Sequence, residues 1–233
     1  MMPNDSVTQF YSGSKGESYQ RKVNQVSSRA FSIVARERAR KLQPFITASD
    51  RVLEYGTGTG WNLAELVCQE RLGYDVDNFL VPEAVEKNVR FVSSIEEVVP
   101  HSIDVLICHH VLEHLTNPFE TLQNMRMLLK PSGKLLLYVP WDRGIRFNSH
   151  NSPDDNRHLY AWNCQSLGNL VSSSGYTVKT CRPQKFGYEK ISGQIAARFE
   201  SHGYFFRIIK QLFHLIRTDE EIFVLATACQ AQE

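Results

Sequence analysis

The chain has no cysteine pair at redox or metal spacing. Its five cysteines, Cys68, Cys108, Cys164, Cys181 and Cys229, stand far apart with no C-x-x-C between them. An odd, scattered set argues against a disulfide framework and a thiolate zinc site, and suits reduced core thiols in a cytosolic protein. No apolar run approaches the roughly 18 residues of a membrane span, and the start, Met1-Met2-Pro3-Asn4-Asp5-Ser6, is polar. Neither secretion nor a transmembrane anchor is expected, and the expected location is cytoplasmic. An excess of either charge is missing too, because 26 Lys and Arg face 25 Asp and Glu for a formal net charge of +1. A nucleic-acid substrate normally leaves a basic face; no basic block stands out here, and no nucleic-acid partner is expected. Internal repeats and low-complexity tracts are absent. With 233 residues, 42% of them hydrophobic, the chain can build one sizeable core with an insertion.

Glycine is used sparingly, and three of the 13 glycines fall within five residues. Val52-Leu53-Glu54-Tyr55-Gly56-Thr57-Gly58-Thr59-Gly60 is an apolar run ending in a carboxylate, followed by glycines at alternate positions. The run predicts a buried parallel strand, and the glycines let the chain turn tightly while a ligand touches backbone N–H groups. A dinucleotide fingerprint would place its third glycine at position 61, where Trp61 stands, which disfavours NAD and FAD. No Gly-Lys-Ser or Gly-Lys-Thr follows, which excludes a P-loop. Asp75 lies 21 residues beyond Glu54, where a second strand would end and where a carboxylate can hold both hydroxyls of a ribose. The plain alternatives are a chance glycine turn and an ordinary strand-end aspartate.

Taken in order, Glu54 to Gly60, Asp75, the stretch Asp104-Val105-Leu106-Ile107-Cys108-His109-His110-Val111-Leu112-Glu113-His114-Leu115, and Leu129-Lys130-Pro131-Ser132-Gly133-Lys134 resemble the successive motifs of class I S-adenosylmethionine-dependent methyltransferases. The likeness covers roughly residues 45 to 140 and is nearest to the small-molecule branch that includes ubiquinone-pathway enzymes and sugar or glycolipid methyltransferases. It implies S-adenosyl-L-methionine as cofactor, with Gly56, Gly58 and Gly60 approaching its methionine part and Asp75 holding its ribose. Glu54, Tyr55, Thr57, Val76, His109 and, from an N-terminal arm, Tyr19 complete the expected cofactor shell. Many relatives carry an aspartate after the third strand to meet the adenine. Here Phe91-Val92-Ser93-Ser94-Ile95 offers only serine hydroxyls and backbone, so Ser94 and Ile95 are the expected adenine contacts.

The apolar periodicity predicts a helix over 24–43, with Val26, Ala30, Phe31, Val34 and Ala35 near helical spacing and Pro44 closing it. Strands are expected near 51–55, 71–76, 89–93, 103–108 and 133–139, with helices near 60–70, 83–87 and 117–130 between them. A helix near 164–174 then leads to strands near 176–182 and 220–228. The alternation implies an α/β fold with a doubly wound, mostly parallel sheet and ligands at the carboxyl ends of its strands. The family resemblance makes the sheet seven-stranded, Rossmann-like, with an antiparallel edge hairpin. The expected organisation is an arm and helix over the cofactor (1–44, with Phe10, Tyr11 and Tyr19), a methyltransferase domain (45–183 and 218–233) and a helical insertion (184–217). A solvated tail is the plain reading of the arm.

Three features carry candidate chemistry. The polar loop from Pro140 to Trp162 is too long for a connector and is expected to bind the acceptor. His158 in this loop and His110 after the fourth strand are the candidate general bases for a hydroxyl acceptor, and a histidine that merely holds backbone is the plain reading of His158. His110-Val111-Leu112-Glu113-His114 also matches a zinc-protease pattern, which its place directly after a buried strand argues against. Glu113, His114 and His158 can supply metal ligands in the manner of some small-RNA and quinone methyltransferases; the favoured reading has no metal, with Glu113 and His114 closing a helix start. Finally, Phe205, Phe206, Ile209, Leu212, Phe213 and Ile216 recur on one helical face, with Arg207, Lys210, His214 and Arg217 expected in solvent. That helix is expected to pack on its own sheet, to form a homodimer, or to lie on an anionic membrane surface over 203–217. No Asn/Asp-Pro-Pro-Tyr motif of amino-directed nucleic-acid enzymes is present, which favours oxygen as acceptor. The leading function is O-methylation of a small-molecule or saccharide acceptor. The alternatives are a metal-assisted RNA or protein methyltransferase and a cofactor-binding module without activity.

Overall fold

A computed structural model of the chain describes residues 13, 16–18, 26–76, 85–143, 149–150, 157–199, 203–216 and 218–229. Tyr19, Arg217 and most of the loop between residues 143 and 157 lie outside the described residues. Seven strands form one sheet: β1 (Arg51–Tyr55), β2 (Glu70–Tyr74), β3 (Arg90–Val92), β4 (Ile103–His109), β5 (Leu129–Pro140), β6 (Tyr176–Phe186) and β7 (Asp219–Ala228), in the order β3-β2-β1-β4-β5-β7-β6. The first five run parallel, and β7 lies antiparallel between β5 and β6. The order reverses at β1 and β4, and a doubly wound sheet opens its ligand crevice at such a switch point.

Local signals set the helix ends. In α1 (Ser28–Leu42) the Ser27 hydroxyl accepts from the Ala30 N–H, Arg40 and Lys41 sit in the last turn, and the helix stops before Pro44. Asn117 caps α2 (Pro118–Leu128) with Pro118 at its first position, and Asn163 with Ser166 forms a capping box for α3 (Cys164–Ser173). Central strands are buried on both faces, which is why Val105-Leu106-Ile107-Cys108 reads as a continuous apolar run. One face packs on Leu122, Met125, Leu167 and Val171 of α2 and α3; the other packs on Ala39 and Leu42 of α1 with Leu63 and Leu66.

One expected helix is missing. Over 60–70 the chain makes a single α-type turn, Ala64 N–H to Gly60 carbonyl at 3.0 Å, and then short turns. Other partners take the groups a helix would use. The Arg71 guanidinium holds the Leu66 carbonyl, the Gln43 side chain accepts from the Val67 N–H at 2.9 Å, and the Asn62 side chain turns inward.

Strand β6 continues to Phe186, past its expected end near residue 182. The expected insertion holds α4 (Glu189–Arg198) and α5 (Gly203–Ile216). Helix α4 lies so close to α1 that a Cβ on Gly193 would stand 2.6 Å from Val34 Cγ2. Phe206 of α5 joins Ile33, Val34, Trp61 and Ala196 in a separate small core.

Candidate active site

The glycine cradle sits where β1 ends. Gly56, Gly58 and Gly60 have φ of +79°, +50° and +77°, the left-handed region that favours glycine. Gly56 is also pinned sterically, because a Cβ there would lie 2.2 Å from Val111 Cγ2, whereas a Cβ on Gly58 would meet nothing within 4 Å. Room for a ligand is therefore at Gly58. The Gly58 N–H donates to Asp75 Oδ2 at 2.7 Å, placing the carboxylate expected on a ribose directly against the loop. Val76 follows, partly exposed, and the Tyr55 and Tyr74 rings stand 5.0 Å apart beside the turn. These features fit an adenosyl cofactor whose methionine part lies on backbone and whose ribose meets Asp75.

Behind the cradle Glu54 is buried, accepting from the Asn62 amide and from Thr57 Oγ1 at 3.1 Å. Burial pushes its carboxyl up to about 7. The Asn62 carbonyl oxygen in turn accepts from Arg38 of α1 at 3.3 Å, and Arg38 pairs with Glu189 of α4 at 2.8 Å while lying over the Trp61 ring. The insertion is thus wired to the cradle through two side chains.

Ser94, an expected adenine contact, is engaged locally. Its hydroxyl caps a short 3-10 turn, Ile95–Glu97, by accepting from the Glu96 N–H, and it donates to the Glu96 carboxylate. Ile95 opens that turn, half-buried.

Beyond β4 the second half of the site collects histidines. His109 and His110 stack with ring centroids 4.6 Å apart, and both face the carboxylate of Glu221 on β7, at 3.6 and 3.1 Å. Burial drives His109 well below the usual imidazole range, with the neighbouring His110 adding to the effect. On the other side of the same turn, His158 Nδ1 is hydrogen-bonded to Asp142 Oδ2, and the His114 ring stands edge-on 5.1 Å away. Burial lowers His114 to about 4, so it is a neutral lone-pair donor at pH 7.

Glu113 corrects an expectation. It lies in a 3-10 turn, Leu112–His114, and neither carboxylate oxygen has a hydrogen-bond partner among the described residues, so the pair does not close a helix; Asn117 does. The Glu113 backbone carbonyl instead accepts from Leu159 and Tyr160 at 2.8 and 3.3 Å, which brings the far end of the loop after β5 to the turn. Glu113 is buried, and burial pushes its carboxyl up. One ligand atom each from Glu113, His114 and His158 lie within 4.8 Å of one another, as do those of His109, His110 and Glu221.

His110 and His158 thus each gain a carboxylate partner. Sequence reasoning missed Glu221, Asp142, Asn62 and Arg38. Glu221 sits in an ordinary acidic run, Asp219-Glu220-Glu221, and only strand pairing beside Pro140 and Gln184 brings it to the mouth.

The chain matches the family described as "Methyltransferase domain" over residues 23–180, about two thirds of its length. No curated protein matches it significantly. Among solved structures it is similar to phosphoethanolamine N-methyltransferase 2 of Haemonchus contortus in complex with S-adenosyl-L-methionine, at 15% identity and TM-score 0.64, covering 98% of this chain and 61% of that one. It is also similar to a chain of the Haloferax volcanii complex between the Trm112 methyltransferase activator and a methyltransferase, at 14% identity and TM-score 0.62, over 98% and 100%. The [4+2]-cyclase SpnF is a third, at 15% identity and TM-score 0.57, over 84% and 81%. With the family match over two thirds of the chain joined to the seven-stranded sheet, the chain belongs to the methyltransferase-domain family as an S-adenosylmethionine-dependent methyltransferase of class I.

Proposed function

We propose that this enzyme methylates a hydroxyl oxygen of a small-molecule or saccharide acceptor, with His158 as general base. The observation that carries the reading is the His158–Asp142 pair at the mouth, with side chains only 17% and 7% exposed. The fold alone names no reaction, since a cyclase shares it. The site chemistry has to do so. Bound S-adenosylmethionine supplies a methyl group on a positively charged sulfur. The acceptor oxygen forms the new C–O bond as the C–S bond breaks, and the hydroxyl proton must leave. With Nδ1–H given to Asp142, the basic nitrogen of His158 is Nε2, an imidazole nitrogen suited to accept that proton. The remaining tasks are alignment and exclusion of water, which the cradle and the loop end anchored on Glu113 serve.

A second reading is favoured by one observation, the buried Glu113 carboxylate, without hydrogen-bond partners among the described residues, beside His114 and His158. Two imidazoles and a carboxylate suit a transition-metal ion better than Mg²⁺, and such an ion would draw an RNA or protein hydroxyl into the same place.

A screen of hydroxylated acceptors with labelled S-adenosylmethionine tests both readings. Under the first, His158→Ala lowers kcat by about 10²-fold or more, leaves S-adenosylhomocysteine affinity unchanged, and EDTA has no effect. Loss of turnover in EDTA with recovery on adding Zn²⁺ or Mn²⁺ establishes the second. Cofactor contact is checked separately by calorimetry, where Asp75→Ala weakens S-adenosylhomocysteine by about 1.5 to 3 kcal/mol.

A further inference from the structure

His110 has φ +56°, a conformation that disfavours a side chain and persists only where the surroundings impose it. Those surroundings are specific. Its N–H donates to the Tyr138 carbonyl at 2.9 Å, tying it to β5. Its ring packs on His109 at 4.6 Å and on Phe186 at 4.3 Å. Its Nε2 stands 3.1 Å from Glu221 Oε2.

Glu221 is fully buried, and its other oxygen accepts from the Lys41 ammonium and from the Gln184 amide, the latter at 2.6 Å. Donors from α1, β4 and β6 therefore converge on one carboxylate in β7. With the Lys41 ammonium and the Gln184 amide both donating to Oε1, the carboxylate presents Oε2 to His110 as an acceptor. A neutral His110 facing that oxygen must carry its proton on Nε2, which leaves Nδ1 as the accepting nitrogen. The next residue, Val111, touches Gly56. His110 is thus one residue from the cofactor cradle, with its side chain 22% exposed.

We infer that Glu221 is a positioning residue of the methyl-transfer site, fixing His110 in its orientation and in the Nε2–H tautomer so that Nδ1 accepts a hydrogen bond from a second O–H or N–H of the acceptor molecule, the proton of the reacting hydroxyl going to His158. The inference rests on the proposed hydroxyl acceptor for its chemistry, but the tautomer is independent of it. A competing role is purely structural: Glu221 anchors Lys41, and with it α1, to the sheet. That role needs neither the left-handed turn at His110 nor a particular tautomer.

The test uses the whole protein with S-adenosylhomocysteine bound. Long-range ¹H–¹⁵N imidazole spectra, with the His110 signals assigned by their loss in His110→Gln, are expected to show Nε2–H in wild type and a tautomer mixture in Glu221→Gln. In the transfer assay, on whichever acceptor the screen yields, Glu221→Gln is expected to lower kcat about 10- to 100-fold with KM for S-adenosylmethionine unchanged. His110→Gln falls by a similar factor, and the double variant falls little further, as expected for groups acting as a unit. An Nδ1–H tautomer in wild type overturns the proposal, and that measurement stands even if Glu221→Gln fails to fold. Unchanged tautomer and kcat in a folded Glu221→Gln with a lower melting temperature reduce Glu221 to an anchor. If no hydroxyl acceptor turns over, the function reading fails while the tautomer still decides the positioning claim.

Discussion

Gly56 and Gly58 separate two reasons for a glycine. At Gly56 an added methyl would stand 2.2 Å from Val111 Cγ2, and the φ of +79° is unfavourable besides. Gly56→Ala is expected to cost about 2 to 4 kcal/mol of stability. Adding Val111→Ala recovers the clash and leaves roughly 1 kcal/mol of backbone cost. At Gly58 a methyl meets nothing of the protein within 4 Å, so Gly58→Ala is expected to keep stability within about 1 kcal/mol while weakening S-adenosylhomocysteine at least tenfold. Denaturant melts and calorimetry on the three variants check this. Equal ligand affinity in Gly58→Ala would remove the cradle from the cofactor site. The alternate glycines were legible in the sequence, but which of them faces protein and which faces ligand depends on Val111, more than 50 residues away.

Helix α5 shows how far periodicity reads an element. Its apolar recurrence gave the right helix, but packing divides the residues differently. Phe206 and Ile209 are buried, whereas Leu212 and Ile216, expected on the same face, are 55% and 84% exposed, and Tyr204, Ile208 and Leu215 join them outside. Two of the expected cations are ion-paired. Arg207 pairs with Glu37 at 3.4 Å and Lys210 with Glu189 at 3.1 Å, and His214 is buried. Arg207 and Lys210 thus meet carboxylates of α1 and α4. Phe206→Ala is expected to cost about 3 to 5 kcal/mol, as for a core aromatic, and Leu212→Asp less than about 0.5 kcal/mol, as for a surface site. Chemical denaturation of both variants measures the difference. A comparable loss for Leu212→Asp would mean that its exposed face is covered in solution.

At the scale of the whole molecule, buried titratable groups oppose one another in their response to pH. Histidines 109, 114 and 214 are all lowered by burial, His114 to about 4. The unfolded chain takes up their protons near 6.5 and the folded chain resists, so stability falls as pH drops below about 6.5. Glu54 works the other way. Raised to about 7, it keeps its proton when folded while an unfolded glutamate has already ionised, so stability falls as pH rises from about 4.5 through 7. Glu54→Gln is expected to lose the second decline. Relative to wild type it gains stability between pH 5 and pH 8, by an amount on the order of 3 kcal/mol at most. Urea midpoints at the two pH values test this, and a constant difference between the proteins would show that Glu54 ionises normally.

The sequence alone determined most of the strand and helix alternation, the glycine turn, the spacing from Glu54 to Asp75 and hence the family and cofactor, because these signals are local: side-chain period, missing Cβ atoms and a short spacing. Tertiary structure decided the rest. A helix after Gly60 was expected from the pattern, yet Arg71, Gln43 and Glu54 compete for its groups across the fold. His110 and His158 were legible as titratable residues near the mouth, but their carboxylates were not. Asp142 and Glu221 lie 16 and 111 positions from their histidines. Only the parallel β4–β5 pairing and the antiparallel return of β7 bring them within hydrogen-bond reach. A hydrogen bond depends on distance in space, and strand order across a sheet is not written in any one segment of the chain.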